Sequence, residues 1–291
     1  MHATLPTVDP TPARVRGLTG WIARHPLAAF LAWLYTVGQA IAFVPVLTDP
    51  PVPDQLFLVA TSVVGVFLPA LAVTWVADGR DAALRFLRSL LRWHVALRWY
   101  LVAIAVVPLV AVGLAVLLLG APPASSASVL LDALLAGFAL SFLLTLVPNN
   151  WVEEAAWTGF AQARLQRTHA PAVAALAIAP LFALQHVSLA VGNWAALVLL
   201  AVLAVPFRMV TGWLWNSTGS LLLLGLLHAA GNAAGPGSGF TDGFLRRLYP
   251  DDASTAGLLH LLAFALVGLV VLVATRGRLG HPTARPPRST T

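Results

Sequence analysis

The chain contains no cysteine and no lysine, and it has few charged residues of any kind. Charged residues make up only 10% of its 291 residues, and all 17 basic residues are arginine. Without cysteine, a disulfide framework, a thiolate metal site and a cysteine nucleophile are all excluded. Glutamate is nearly absent as well, because its only two copies are the neighbours Glu153 and Glu154 inside an apolar stretch. The chemistry of the protein therefore depends on a small set of polar side chains.

Apolar residues are what the chain has in abundance. They form 59% of the sequence, and the mean hydropathy of +0.84 is far above that of a soluble domain of this length. Eight apolar runs approach the length of about 20 residues that a helix needs to cross a bilayer. They lie at 27–46, 56–77, 99–120, 128–148, 171–191, 194–210, 218–234 and 256–274. The sequence therefore predicts an all-α, polytopic membrane bundle of about eight transmembrane helices.

The arginines between these runs predict how the bundle is oriented. In membrane proteins, short cytoplasmic segments carry the excess of positive charge. With a cytoplasmic N-terminus only Arg246 and Arg247 fall on the other side, and Arg208 counts as a cytoplasmic marker. Both termini are therefore predicted to be cytoplasmic, and the arginine-only, alanine- and leucine-rich composition favours a bacterial plasma membrane. The pI of about 11.2 comes from arginines that are expected to contact the lipid bilayer, so no nucleic acid partner is expected.

The organisation along the chain is simple, with no visible repeat or second domain. Between the second and third runs, Arg85, Arg88 and Arg92 recur at helical spacing beside leucines, which predicts an amphipathic helix at the membrane surface. The end of the chain is rich in proline and arginine, which favours disorder. The predicted parts are a cytoplasmic segment at 1–26, a transmembrane domain at 27–275 with the interfacial helix at 78–98, and a disordered cytoplasmic tail at 276–291.

Five polar side chains stand within or beside apolar runs and are candidates for function, and the neighbouring Asn149 and Asn150 flank them. A carboxylate, imidazole or amide in hydrocarbon is costly unless it faces a cavity or the protein interior. His228 and Asn232 are four residues apart, so a helix presents both from one face. Adjacent helical residues point about 100° apart, so one of Glu153 and Glu154 is expected to do chemistry and the other to anchor. His186 completes the set.

Helical rise places three of these candidates at a similar depth. Glu153, His186 and His228 lie roughly 18 to 22 Å along their segments from the nearest cytoplasmic markers, at about 1.5 Å per residue. They are expected to meet in one site that opens toward the cytoplasmic side. A continuous helix over 128–168 would be roughly 60 Å long. It is therefore expected either to break near 148–150 or to extend into the cytoplasm.

The candidate side chains indicate hydrolysis without a nucleophilic side chain. A carboxylate beside an imidazole can take a proton from water, and a second imidazole with an amide can stabilise an oxyanion. A proton-coupled transporter, with Glu153, His186 and His228 as a relay, is one alternative. Zinc bound by the same three residues is another, although the tight H-E-x-x-H spacing is missing. His260, near the end of its run, is expected to have a headgroup role instead.

Three short motifs resemble those of a known family. EEAAWT at 153–158, FALQH at 182–186 and HAAGN at 228–232 follow one another on apolar runs. They resemble the E-E-x-x-x-R, F-x-x-x-H and H-x-x-x-N signatures of the CPBP (CAAX-processing and bacteriocin-processing, or Abi) family of intramembrane endopeptidases, which includes the type II prenyl endopeptidases. The resemblance covers a core of about 128–234. It implies a glutamate-dependent peptidase without a cofactor, acting on a membrane-associated peptide or protein near the cytoplasmic membrane face.

Carried over by position, the resemblance assigns a role to each motif residue. Glu153 matches the water-activating glutamate of the family, and His186 matches its partner. His228 and Asn232 match the pair that stabilises the oxyanion. Glu154 matches the structural glutamate. The resemblance thus implies a catalytic set of four residues supported by a buried carboxylate.

The family pattern is incomplete in one place. Thr158 stands where the first motif carries arginine, whereas Phe182 keeps the start of the second motif. Without that cation, a low-dielectric site favours the neutral acid of Glu154 or requires another donor. A second hypothesis follows, in which the chain keeps the fold but is catalytically impaired and acts in binding, immunity or regulation.

Overall fold

The structure is a computed structural model that describes residues 17–123 and 126–280, and most of these residues are helical. The predicted cytoplasmic segment before residue 17 and the predicted tail after residue 280 lie outside these ranges. We number the main helices α1 (Gly17–Arg24), α2 (Pro26–Ala42), α3 (Asp54–Asp78), α4 (Arg80–Leu90), α5 (Leu97–Leu119), α6 (Ala127–Leu165), α7 (Pro171–Gln185), α8 (Trp194–Thr218), α9 (Leu221–Ala234), α10 (Phe244–Leu248) and α11 (Ala253–Ala274).

Each of the eight predicted apolar runs overlaps with one apolar helix. Five of these helices, α3, α5, α6, α8 and α11, are long and apolar enough to cross a membrane, while α2, α7 and α9 are shorter. Large apolar side chains such as Leu109, Leu117 and Val270 are exposed on the outside of the bundle. Such a surface suits lipid, whose tails are as apolar as leucine. The predicted all-α, multi-pass membrane bundle is therefore confirmed.

The short helix α9 lies at the centre of the bundle. Twelve of its 14 residues are buried, as expected for a helix that is apolar on all sides. It contacts α5, α6, α8 and α11. Gly225 permits the close approach of α6, because a Cβ atom there would lie 2.8 Å from the backbone of Trp151. The central position of α9 fixes the surroundings of His228 and Asn232.

The long helix α6 does not show the first of the two outcomes predicted for it. It is continuous over 39 residues, so it does not break near 148–150. Its later part packs inside the protein, because almost all of Ala155–Gln162 is buried. Wider π-helical turns at Leu146–Trp151 and Ala155–Gln162 flank the two glutamates, and such turns frequently occur at functional sites. The wider turn also tolerates Pro148, which has no N–H to donate.

Helix α7 is shorter than the predicted run 171–191. It ends at Gln185, because His186 leaves the helical conformation with φ −92° and ψ 14°. A single 3₁₀ turn, Val187–Ala190, follows. His186 therefore lies at the end of a helix and not in the middle of a span.

Helix α8 is longer than the predicted run 194–210. It continues to Thr218 and stops where Gly219 adopts a left-handed conformation with φ 62°, a common way to end a helix. The helix thus extends eight residues beyond the predicted end at residue 210, so Arg208 has helical turns on both sides. As a result, Arg208 lies inside a helix instead of in a connection between helices.

The segment predicted as an interfacial helix at 78–98 contains α4. Its apolar face buries Ala83 and Phe86. Arg85 and Arg88 are exposed on the opposite face. This division of one helix into an apolar and a cationic face suits a position at lipid headgroups.

Candidate active site

One cavity in the middle of the bundle collects the predicted site residues. Its volume is about 300 Å³. Glu153 on α6, Phe182 on α7, and His228 and Asn232 on α9 all line it, together with His186 just after α7. These side chains come from three motifs that are far apart in the sequence. The structure therefore brings the three motifs to one place.

Glu153 is held at the cavity wall by two hydrogen bonds. Gln185 Nε2 donates to Glu153 Oε1 at 2.6 Å, and Ser62 Oγ donates to the same oxygen at 3.2 Å. Gln185 is fixed in turn, because its Oε1 accepts a hydrogen bond from the indole N–H of Trp157. None of the described residues donates to Oε2. This second oxygen is therefore the one that can face a bound water.

His186 lines the same cavity but is not hydrogen-bonded to Glu153 in the described structure. Its Nδ1 lies 3.0 Å from the carbonyl oxygen of Phe182. Because a carbonyl can only accept, Nδ1 carries a proton, and in the neutral ring Nε2 is then an acceptor. The predicted partnership of His186 with Glu153 therefore requires a bridging group such as water.

Glu154 does not line the cavity and is fully buried. Its Oε1 forms an ion pair with the guanidinium of Arg208 and accepts a hydrogen bond from His228 Nδ1 at 3.1 Å. Its Oε2 accepts a hydrogen bond from Thr158 Oγ1 at 2.6 Å. The adjacent glutamates thus face different surroundings, and Glu154 ties α6 to α8 and α9.

Arg208 is fully buried, so its use as a cytoplasmic marker was wrong. Its guanidinium lies 4.3 Å from the ring centroids of both Phe182 and Phe207, a cation–π arrangement that suits the planar group. A buried charge is tolerated only when it is paired and hydrogen-bonded. The ion pair with Glu154 meets this condition for both charges.

The arginine that is absent from the first motif is supplied by another helix. Thr158 occupies the motif position, where its hydroxyl donates to Glu154 and accepts from Arg208 Nη1 at 3.3 Å. Arg208 lies 50 residues further along the chain and brings the positive charge. Without the motif arginine, Glu154 was expected either to be a neutral acid or to have another donor. The structure shows another donor, Arg208.

His228 is oriented by its bond to Glu154. A carboxylate accepts, so His228 Nδ1 carries the proton and the neutral ring leaves Nε2 as an acceptor. The ring packs edge-on against Phe207, with 4.8 Å between centroids. Asn232 lines the cavity one turn later, and its backbone carbonyl accepts from the N–H of Gly237 at 2.8 Å. The segment after α9 is thereby tied to the site.

Several residues that shape the cavity were missed by sequence reasoning. Ser62 and Gln185 bind Glu153 directly, and only Gln185 had a signal, since it precedes His186 in FALQH. The headgroup role expected for His260 is wrong. His260 is 7% exposed, lines the cavity and places its Nδ1 2.8 Å from the carbonyl oxygen of Gly257.

Asn150 is a further buried polar residue in the cavity wall. It is 0% exposed, and neither its Oδ1 nor its Nδ2 has a hydrogen-bond partner among the described residues. A buried polar group without a partner costs about 1 to 3 kcal/mol. Retaining such a group in the wall of a site suggests that a bound water or the substrate satisfies it.

Replacing Asn150 with leucine is expected to separate function from stability. Leucine removes the unsatisfied amide, so the melting temperature should stay the same or rise. For the peptidase that the three motifs indicate, the KM for peptide cleavage should increase about tenfold through loss of one hydrogen bond. Thermal unfolding and steady-state kinetics on the purified protein measure both quantities. A lower melting temperature with an unchanged KM would show that the amide supports the fold and not the substrate.

Among the described residues, no group of three or more histidine and carboxylate side chains is arranged to hold a metal ion. Glu153, His186 and His228 line one cavity without forming such a group. Each has one polar atom engaged by Gln185, Phe182 or Glu154, and Glu153 Oε2 and the two Nε2 atoms stay free. The expectation of a site without a metal stays a prediction.

The fold and the cavity define a class of protein, an integral multi-pass membrane protein with a polar site enclosed between its helices. Residues 135–234 match the family model described as Type II CAAX prenyl endopeptidase Rce1-like. The match covers about a third of the chain and contains all three motifs, and it confirms the family that the motifs indicated. The matched core is thus similar to the Rce1-like, CPBP-type family, and this likeness supports the kind of function of a CAAX-type intramembrane protease. No curated protein and no solved structure gave a match.

Proposed function

We propose that the protein is an intramembrane endopeptidase in which Glu153 activates the water that hydrolyses a peptide bond. The observation that carries this proposal is the position of Glu153, whose carboxylate lines one cavity with two imidazoles and an amide. The family match supports protease chemistry and a membrane-associated peptide substrate. No side chain is required as a nucleophile, because water attacks directly.

The first step uses the two acceptor atoms that are not engaged by other described residues, Glu153 Oε2 and His186 Nε2. A water hydrogen-bonded to Glu153 Oε2 and His186 Nε2 would be held by two acceptors, with its oxygen lone pair directed at the substrate carbonyl. As the oxygen attacks the carbonyl carbon, Glu153 takes the proton, in the manner of general base catalysis. When the carbon–nitrogen bond breaks, the same carboxyl group returns the proton to the leaving amine. The carboxylate of Glu153 is thereby regenerated, and the products are a carboxylic acid and an amine.

The developing oxyanion needs a hydrogen-bond donor, and the side chain of Asn232 provides one that does not depend on protonation. Its amide donates at any pH. His228 Nε2 donates only when the ring is cationic, because Nδ1 already carries the proton shared with Glu154. We therefore assign the oxyanion chiefly to Asn232, with His228 assisting in its protonated form.

The alternative of a catalytically impaired binding protein rested on the missing motif arginine. Arg208 supplies a guanidinium to Glu154 from α8, and Thr158 bridges the two. The departure from the family pattern is thereby compensated in the folded protein. This observation favours an active enzyme over an impaired one.

Replacing Asn232 with alanine is expected to lower kcat for peptide cleavage by about 10²-fold to 10³-fold with little change in KM, as for the loss of one oxyanion donor. Cleavage is measured with the purified protein in proteoliposomes, on lipid-anchored peptide reporters with and without a prenyl group. Asn216→Ala is the matched control, because Asn216 does not line the cavity and donates to the carbonyl oxygen of Leu279 near the end of α8. An Asn232→Ala variant as active as this control would contradict the assignment, and activity lost after exhaustive chelation would contradict the metal-free mechanism.

A further inference from the structure

The cavity is closed at one end by a layer of aromatic side chains. Phe182 packs against Phe207 with 5.5 Å between ring centroids, and Phe207 packs against Phe264 at 4.8 Å. The fully buried pair of Glu154 and Arg208 lies against these rings. We call this layer the floor of the cavity.

The remaining wall residues come from the opposite ends of the helices. Ala42 is the last residue of α2, and Leu58, Leu200 and His260 each lie within the first eight residues of α3, α8 and α11. The loop residues 236–239, which follow α9, complete this part of the wall. We call this end of the cavity the mouth.

None of the described wall residues comes from the helix segments beyond the floor. Along α3 the wall ends at Ser62, along α6 at Glu153, along α8 at Phe207 and along α11 at Phe264. The remaining turns of all four helices run on toward the other end of the bundle without contributing to the cavity. The cavity therefore occupies one half of the bundle and leads to one end of it.

The arginines that are not fully buried lie almost entirely on the floor side. The mouth side of the described chain carries Arg246 and Arg247, which pair with Asp242 at 2.9 Å and Asp132 at 2.7 Å. The floor side still has more arginines than the mouth side when the buried Arg208 is left out. By the positive-inside rule, the floor side therefore faces the cytoplasm. The floor-side arginines are Arg24, Arg80, Arg85, Arg88, Arg92, Arg98, Arg164, Arg167, Arg276 and Arg278.

The rim of the mouth is apolar where it meets the bilayer. Leu189, Val191 and Trp194, in the turn between α7 and α8, are 64%, 48% and 60% exposed, and Leu189 also lines the cavity. Tryptophan is typical of the membrane–water interface. A peptide with an apolar anchor can therefore reach the cavity sideways from the lipid at this level.

We propose that the cavity opens to the non-cytoplasmic side of the membrane and that the substrate is a membrane-anchored peptide whose scissile bond lies on that side. The statement about the substrate rests on the function proposed above, whereas the statement about orientation is independent of it. The anchor would stay in the outer half of the bilayer, while the polar backbone descends past the rim to Glu153. This replaces the cytoplasmic opening expected from the sequence, because distance along a helix gives depth but not the direction in which a cavity opens.

Cysteine labelling tests the orientation without requiring activity. The chain has no cysteine, so single cysteines can be placed in the mouth-side loop (Asp251→Cys), in the cavity wall (Leu58→Cys) and in the floor-side connection (Thr168→Cys). In intact cells of a bacterial host, a membrane-impermeant maleimide should label the first two at least tenfold more than the third, which reacts only after permeabilisation. Labelling of Thr168→Cys in intact cells would overturn the orientation. Labelling of Leu58→Cys only after permeabilisation would overturn the position of the mouth.

A cleavage experiment tests the substrate side. A lipid-anchored peptide with a charged fluorophore is added to spheroplasts and to inverted membrane vesicles that contain either the parent protein or Glu153→Gln. We expect parent cleavage at least tenfold faster in spheroplasts and none with Glu153→Gln. Faster cleavage in inverted vesicles would overturn the proposed substrate side. Absence of cleavage in both preparations, together with the expected labelling, would overturn the proposed function and leave the orientation standing.

Discussion

Replacing Glu153 with glutamine is expected to lower the rate of peptide cleavage by at least about 10³-fold while the protein remains folded. Glutamine has nearly the same shape, and its Oε1 can still accept from Gln185 and Ser62. An amide, however, cannot take a proton from water at neutral pH. The change therefore removes the base and keeps the contacts that position it.

The loss should fall on kcat, because the substrate still enters an unchanged cavity. Single-turnover cleavage in proteoliposomes measures the chemical step, and thermal unfolding shows whether the fold persists. Asp132→Asn is a matched control, because Asp132 is an exposed carboxylate on the same helix that pairs with Arg247. Glu153→Gln cleavage within tenfold of this control would show that another group activates the water.

The parts of the structure that were predictable from the sequence depend on local signals. The eight apolar helices follow from runs of apolar residues, and His228 and Asn232 share one face because helical spacing requires it. The division between Glu153 and Glu154 follows from the same periodicity. These features need no knowledge of which helices touch, so the sequence alone is sufficient for them.

The role of Arg208 was not predictable, because it depends on a contact between distant segments. In the sequence it stands among apolar residues near the expected end of a run, where an arginine usually marks the cytoplasmic boundary. Its burial depends on the extension of α8 to Thr218 and on its pairing with Glu154, 54 residues away. Neither feature can be inferred from the residues around Arg208 alone, without comparison with the first motif. An arginine in a long apolar run opposite a motif that lacks one is the signal that could have revealed it.

The direction that we propose for the cavity differs from the one expected from the sequence for a related physical reason. Depth was estimated by counting residues along single helices from cytoplasmic markers, which places Glu153 near the middle of the bundle. The opening depends instead on which helix ends contribute wall residues and on where side chains such as Phe207 fill the space. It also depends on the continuity of α6, which packs its later part inside the protein. Packing of this kind is a property of several helices together.

Replacing Arg208 with methionine is expected to be strongly destabilising, by about 3 to 5 kcal/mol, because it leaves the buried carboxylate of Glu154 without its cation. Activity should fall as well, since Glu154 also orients His228. The double variant with Glu154→Gln should recover much of the stability, because a neutral amide costs less to bury than an unpaired charge. Thermal unfolding of the four proteins gives the coupling between the two sites. Additive losses would contradict the ion pair.

The substitution Thr158→Arg should have opposite effects in two backgrounds. In the parent it adds a second guanidinium beside Arg208, and a buried, unpaired positive charge should lower the melting temperature. In Arg208→Met the same substitution should raise both stability and cleavage, because the side chain of residue 158 is one helical turn from Glu154 and already contacts it. Thr158→Lys is the matched control, since it adds a charge without the planar fork that suits a carboxylate. If Thr158→Arg is tolerated in the parent but restores nothing in Arg208→Met, then Arg208 does not stand in for the arginine of the family motif. A sign reversal between the two backgrounds would instead show that one cation at this carboxylate is required, whichever helix carries it.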